Sequence, residues 1–110
     1  MGIVYKAYDK ALENYLRAIA INPNNYKTYR ELGITYDKLQ KYLLAIKNHD
    51  KAILLNKNNS RSYYNRGVAY YKLQKYKQAI NDYKKALVLG SPRKKDLKNK
   101  IKIAMDKINK

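Results

Sequence analysis

A short phrase recurs in this chain of 110 residues at a fixed interval of 34 residues, and this repeat constrains the fold more than any other feature. The segments YRELGITY at 29–36 and LQKY at 39–42 return as YYNRGVAY at 63–70 and LQKY at 73–76. A third pattern, Ala-x3-(Tyr/His)-x2-Ala, begins at residues 11, 45 and 79. Self-similarity at one period is typical of stacked supersecondary units rather than of a chain closed around one central core. Such a stack presents an extended surface, so the repeat favours a binding function over catalysis in a deep pocket.

The spacing of residues within each repeat predicts helices. One helical stripe, with its members at i, i+3, i+4 and i+7, consists of Tyr29, Leu32, Gly33 and Tyr36. A glycine inside a helix costs about 1 kcal/mol relative to alanine. Because Gly33 nevertheless returns as Gly67, we expect two helices to approach too closely there for a side chain.

Turn residues divide the chain into six predicted helices. The turn segments are NPNN at 22–25, NKNN at 56–59 and GSP at 90–92. The predicted helices cover residues 4–21, 26–39, 41–55, 60–73, 75–89 and 93–109. Ser60 and Ser91 stand at the start of two of these helices and are predicted to be their N-caps.

The repeat phrase resembles the tetratricopeptide repeat, which has this period and this pattern of small, glycine and aromatic positions. Pro23 matches the proline that closes a repeat, whereas Arg66 replaces the usual leucine and His49 an aromatic residue, which should loosen the local packing. The resemblance implies an all-α fold, a right-handed α-solenoid of stacked antiparallel helix pairs within a single domain. The implied parts are a partial repeat with only its second helix at 1–25, full repeats at 26–59 and 60–93, and a C-terminal capping helix at 94–110.

In this register the first helix lacks the helix that would normally precede it. Its apolar stripe consists of Tyr8, Ala11, Leu12 and Tyr15. An apolar stripe left in water is an association site. We therefore expect either a homodimer through the first helix or a chain that is a fragment of a longer repeat array.

The formal net charge is +17, from 25 basic and 8 acidic residues. A field of this size attracts acidic partners, although abundant lysine can also reflect a biased coding composition. No apolar run approaches the roughly 18 residues of a membrane span, and no signal peptide pattern is present. The sequence has no cysteine, which excludes disulfides and thiolate metal sites and fits a cytoplasmic location.

The resemblance also implies where a ligand would bind, because the first helix of each tetratricopeptide hairpin lines a concave groove. Positions of this chain that match the groove carry eight basic residues against two acidic ones, beside tyrosine and aliphatic side chains. Such a surface suits an acidic peptide with a few hydrophobic anchors. The expected peptide-binding residues are Lys27, Arg30, Arg61, Tyr64, Asn65, Lys72, Lys95, Lys98 and Lys102.

Some members of this family hold the C-terminal carboxylate of a chaperone tail with a clamp of Lys, Asn, Asn, Lys and Arg. Arg30, Asn65 and Lys95 stand at or near three of those positions. Ile34 and Asn99 stand where the clamp has its first asparagine and its arginine. A general acidic segment of another protein is therefore favoured over a chaperone tail.

Nucleic acid is the alternative ligand from another class, supported by the net charge, by the basic run Arg93-Lys94-Lys95 and by tyrosines that could stack on bases. Most tyrosines, however, occupy positions of the repeat pattern that form the core. An enzyme is not expected, because the lone His49 lacks a second histidine, a cysteine or a carboxylate pair. The sequence also has no phosphate-binding glycine loop, and no cofactor is predicted.

Overall fold

The computed structural model describes residues 2–110, with side chains described from residue 5 onward. These residues form six α-helices and no strand: α1 Gly2–Ile21, α2 Tyr26–Lys38, α3 Tyr42–Leu55, α4 Ser60–Lys72, α5 Tyr76–Val88 and α6 Lys94–Ile108. Every helix end lies within about two residues of its predicted position, which is the usual uncertainty of a helix boundary. The all-α fold predicted from the repeat is confirmed.

The chain divides into two compact units, Met1–Lys57 and Asn58–Lys110. In the first unit, α2 packs against both α1 and α3. In the second unit, α5 packs against both α4 and α6. The assignment of residues 1–110 to a single domain with a partial repeat, two full repeats and a cap stays a prediction.

The stripe on α1 is partly covered within the first unit. Tyr8, Ala11, Leu12 and Tyr15 are all half-buried. The ammonium group of Lys38 lies 5.9 Å from the centre of the Tyr8 ring. The stripe therefore exposes less apolar surface than a helix lacking all partners would, and dimerisation through it stays a prediction.

The two predicted serine caps are wrong in position. Ser60 is the first residue of α4, and the N-cap is Asn59, whose Oδ1 accepts a hydrogen bond of 3.1 Å from the backbone N–H of Ser62. Asn59 has the extended backbone that an N-cap requires, and the asparagine at the same repeat position caps α2. Arg93 takes the cap position of α6, and Ser91 Oγ accepts from its backbone N–H at 3.2 Å.

Each full repeat contains a close crossing of two helices at a glycine, as the sequence predicted. A Cβ atom on Gly33 would clash with the ring of His49, 2.6 Å from its Nε2. A Cβ atom on Gly67 would lie 2.7 Å from Cε1 of Tyr83. His49 is fully buried and Tyr83 almost so, and both are flanked by fully buried alanines. In each repeat the ring takes the space that a side chain at the glycine would need. This ring belongs to His49 of α3 at Gly33 of α2, and to Tyr83 of α5 at Gly67 of α4.

Arg66 is held by a buried ion pair, in contrast to the loosened packing expected from the loss of leucine. Its Nη2 donates to Asp82 Oδ1 at 2.7 Å and its Nε donates to Asp82 Oδ2 at 2.9 Å. Asp82 is only 4% exposed. The guanidinium also lies 5.6 Å and 5.8 Å from the ring centres of Tyr63 and Tyr70. A bidentate pair between two aromatic rings thus replaces an apolar contact, and it joins α4 to α5.

We expect Gly33→Ala to reduce the free energy of unfolding, by up to about 2 kcal/mol. Alanine has the better helix propensity by about 1 kcal/mol, but overpacking a rigid, buried ring costs about 1–3 kcal/mol. Urea denaturation followed by circular dichroism measures the difference. In a His49→Ala background the same glycine substitution should be neutral or stabilising, because the ring is gone. A stabilising Gly33→Ala in the otherwise unchanged chain would show that the crossing has room to spare.

The ion pair should be replaceable only as a pair. Arg66→Leu alone leaves the buried carboxylate of Asp82 without its bidentate partner, and we expect a loss of about 3 kcal/mol in the free energy of unfolding. Adding Asp82→Asn recreates the combination that the preceding repeat has at Leu32 and Asn48, and it should recover most of that loss. Equal instability of the single and the double variant in urea denaturation would contradict this account.

Candidate functional site

Two of the nine predicted peptide-binding residues lie in the first unit. Lys27 is exposed on α2. Arg30 is buried, with 8% of its surface exposed, and its guanidinium lies 5.9 Å from the ring centre of Tyr26. Arg30 therefore offers a ligand little of its surface.

The other seven predicted residues lie in the second unit, on α4 and α6. Five are exposed cations and two, Tyr64 and Asn65, are half-buried. On α6 the buried residues Leu97 and Ala104 mark the side that packs on α5. The exposed cations are Arg61 and Lys72 on α4, and Lys95, Lys98 and Lys102 on α6. The three lysines lie on the exposed side of α6 because their spacing of three and four residues keeps them on one helical face.

Tyr64 joins the two helices that carry these cations. Its hydroxyl donates a short hydrogen bond to Asp96 Oδ2 on α6. The guanidinium of Arg93 lies 5.0 Å from the ring centre, and the ammonium of Lys100 lies 5.9 Å from it. Burial raises the pKa of Tyr64, and the hydrogen bond to the Asp96 carboxylate raises it further. Tyr64 is therefore a neutral donor at physiological pH, and its bond to Asp96 links α4 to α6.

We refer to the predicted residues of the second unit together as the α4–α6 face: Arg61, Tyr64, Asn65, Lys72, Lys95, Lys98 and Lys102.

Sequence reasoning did not find the partners of Tyr64. Asp96, Arg93 and Lys100 occupy repeat positions that differ from those assigned to the groove. The repeat register marks which positions share a helix face, but it gives no distance between side chains on two different helices. An acidic residue within a lysine-rich helix was the one available signal, since Asp96 and Asp106 are the acidic residues of α6.

A small cavity of about 120 Å³ adjoins Tyr64 in the second unit. It is lined by Tyr71, Tyr83, Ile103 and Lys100. The cavity has room for a small aliphatic group, which its mostly apolar walls favour. The one cation in the walls, Lys100, favours a carboxylate beside that group. The hydrophobic anchor of an acidic peptide, expected from the sequence, stays a prediction.

His49 has a structural role in the first unit. Its Nε2 lies 3.4 Å from Asp37 Oδ2, a partner that the sequence analysis missed. The His49 Nδ1 and Asp37 Oδ1 atoms are buried and have no hydrogen-bond partner. The ring is fully buried over Gly33, so no substrate atom can reach it.

The described residues contain no cluster of three or more His, Cys, Asp and Glu side chains that could hold a metal ion. Within that same part of the chain, no helix combines the length and the apolar character needed to cross a membrane.

The buried tyrosines predict how stability depends on alkaline pH. Burial, followed by the neighbouring Tyr64 and Tyr71, raises the pKa of Tyr83 well above its ordinary value of 10.0. The unfolded chain therefore loses this proton near pH 10 while the folded chain keeps it, so stability falls as the pH rises above about 10. Tyr83→Phe has no such proton. Thermal unfolding at pH 9 and pH 11 should show a smaller loss of Tm for this variant than for the wild type. Equal losses would contradict the raised pKa, and titration of the lysines cancels in the comparison.

Two sequence profiles of the tetratricopeptide repeat match the chain, one over residues 60–89 and the other over residues 6–40. No curated protein sequence matches it. Among solved structures, the tetratricopeptide domain of Arabidopsis OM64 is 32% identical, with a TM-score of 0.85 over 94% of this chain and 85% of that one. The first tetratricopeptide domain of Spaghetti (RPAP3), bound to the HSP90 peptide SRMEEVD, is 25% identical, with a TM-score of 0.90 over 98% and 85% of the two chains.

The second tetratricopeptide domain of Spaghetti, bound to the same peptide, is 35% identical, with a TM-score of 0.73 over 74% of this chain and 76% of that one. The sequence profiles, the identity to these domains and the six-helix fold agree with the internal repeat of 34 residues. This chain belongs to the tetratricopeptide repeat family, and its fold is that of a protein–protein interaction module.

Proposed function

We propose that this module binds an acidic segment of another protein on the α4–α6 face of its second unit. The observation that carries the proposal is the position of Tyr64. Its hydrogen bond to Asp96 links α4 to α6, and these two helices carry the five exposed cations of the face. This bond orders Tyr64 before a ligand arrives, which reduces the entropy that this side chain loses on binding.

The ligands of the related domains support an acidic partner. The two domains of Spaghetti are bound to SRMEEVD, a peptide with three acidic side chains and one basic side chain. In this chain, however, Arg30 is buried, and Ile34 and Asn99 differ from the carboxylate clamp. A general acidic segment therefore fits better than a chaperone tail held by its terminal carboxylate. Lys27 remains a proposed contact on the first unit, and a cytoplasmic location remains part of the proposal.

The magnitudes of the contacts determine what the ligand must contain. An exposed ion pair contributes about 0.2–1 kcal/mol, so a few carboxylates on exposed lysines give only weak binding. The small cavity beside Tyr71 and Ile103 adds an apolar contact of about 0.8 kcal/mol for each buried CH₂ group. An acidic segment with one aliphatic side chain next to its carboxylates uses both parts of the surface. The net charge of +17 also accelerates the approach of such a ligand.

Charge reversal on the α4–α6 face should weaken binding of a fluorescein-labelled SRMEEVD peptide by about tenfold or more, because two attractive contacts become repulsive. The test variant is Arg61→Glu with Lys98→Glu. The matched control is Lys77→Glu with Lys84→Glu, which changes the net charge equally at exposed positions of α5. Fluorescence anisotropy gives the dissociation constants, and far-UV circular dichroism should show unchanged helicity.

Equal weakening by the two double variants would mean that net charge alone drives binding and that the face is not a site. The alternative ligand, nucleic acid, is tested with a labelled single-stranded oligonucleotide over a range of salt concentrations. Tighter binding of the oligonucleotide than of the peptide, with a steep decline in affinity as salt increases, would favour that alternative.

A further inference from the structure

The first unit contains an open apolar groove that the proposed function does not use. It has a volume of about 550 Å³ and lies between all three helices of the unit. Its apolar walls are formed by Leu16 of α1, Tyr29 and Tyr36 of α2, and Leu44 and Leu54 of α3. Leu54 is 65% exposed and Leu44 is 42% exposed, which is unusual for leucines that share one concave surface. We call this surface the first-unit groove.

In the second unit, a side chain of the protein itself occupies the place that corresponds to the first-unit groove. Tyr63 and Tyr70 are the repeat counterparts of Tyr29 and Tyr36, and the guanidinium of Arg66 lies over both of their rings. The counterpart of Arg66 in the first unit is Leu32, which is buried in the core and does not reach outward. The counterpart of Asp82 is Asn48, whose amide donates to the backbone oxygen of Leu44. The first unit therefore has the same pair of aromatic rings without a guanidinium that lies over both of them.

The charges at the rim identify the chemistry of an occupant. Lys47 and Lys51 line the groove and are exposed, and the Lys51 ammonium lies 5.9 Å from the ring centre of Tyr29. Asp50 is the one acidic residue among the lining side chains. A second copy of the chain, with its own net charge of +17, would be repelled from this rim, whereas carboxylates would be attracted.

We infer that the first-unit groove is a second docking site, which binds an amphipathic helix of another protein. The helix has aliphatic side chains on one face, which enter the apolar groove, and carboxylates beside them, which meet Lys47 and Lys51. A volume of this size lies within the range of about 300–1,000 Å³ found for ligand sites. Binding of a helix in a groove uses anchors at i, i+3, i+4 and i+7, so several leucine-sized groups can enter together. Apolar burial is the main source of affinity at this site, in contrast to the α4–α6 face.

The probe is a fluorescein-labelled helical peptide of about 18 residues with leucines at i, i+3, i+4, i+7 and i+11 and glutamates beside them. A control peptide has the same composition with its leucines distributed around the helix. Fluorescence anisotropy should show that the striped peptide binds about tenfold or more tightly than the control. Raising the salt concentration should weaken the binding of the striped peptide less than it weakens the binding of SRMEEVD. Equal binding of the two peptides would overturn the inference.

Variants of the protein locate the site. Leu44→Gln places in the groove the residue that the next repeat has at Gln78, so it is compatible with the fold. It should weaken the striped peptide about fivefold or more through lost apolar contact. The matched control is Leu43→Gln, at a leucine that is 71% exposed and does not line the groove, and it should change the affinity less than twofold.

Equal effects of the two leucine variants would refute the groove as the site. Loss of the striped peptide in the Arg61→Glu, Lys98→Glu variant would also refute it, because that result places the peptide on the α4–α6 face. Sedimentation of the protein alone tests for a second copy as the occupant. A dimer that Leu44→Gln dissociates would show that the groove serves self-association, and it would overturn the inference of an acidic helical partner.

Discussion

The contact of an aromatic ring with a helical glycine is the constraint on which each full repeat depends. His49 lies on Gly33 in the first unit, and Tyr83 lies on Gly67 in the second. A glycine within a helix is unfavourable by itself, so its cost has to be offset by the close packing that it allows. That packing buries the ring and the alanines around it, and it sets the distance between the two helices of the hairpin. The crossing therefore also sets the positions of the side chains on the outer surfaces of the hairpin, which include the α4 residues of the α4–α6 face.

The two repeats solve the same packing problem with different chemistry on their outer side. The second uses the buried pair of Arg66 and Asp82, which is closed by two good hydrogen bonds and two aromatic rings. The first uses Leu32 and Asn48 at the same positions, which need no charge but leave the tyrosine rings beside an open groove. Because a buried ion pair breaks even only when both members are present, such positions change together or at a cost in stability. The two repeats therefore differ at these two positions in what lies over the tyrosine rings, while the helices beneath are alike.

The sequence predicted the helices well because helix periodicity and turn residues are local signals. The six helices, their ends and the glycine crossings all follow from spacing within a single repeat. Properties that depend on partners in other helices were harder to predict. The pairing of Arg66 with Asp82 and the bond from Tyr64 to Asp96 both require distances that no sequence pattern contains. The prediction of the N-cap of α4 was wrong for a local reason. Asn59 and Ser60 are both good cap residues, and only the backbone conformation distinguishes them.

Charge and apolar surface are distributed differently over the two units, and this has a consequence for partner choice. The basic side chains outnumber the acidic ones by 17. Acidic partners are therefore attracted to the chain as a whole, and this long-range attraction does not distinguish one surface from another. Discrimination must come from what lies between the cations. On the α4–α6 face this is a tyrosine bonded to an aspartate, and the second unit also contains a small cavity lined by Tyr71, Tyr83, Lys100 and Ile103. In the first-unit groove it is a set of leucines and two half-buried tyrosine rings. Two acidic partners with the same net charge would therefore be distinguished by the shape of their apolar surface. A single small anchor would suit the second unit, and a continuous helical stripe would suit the first-unit groove.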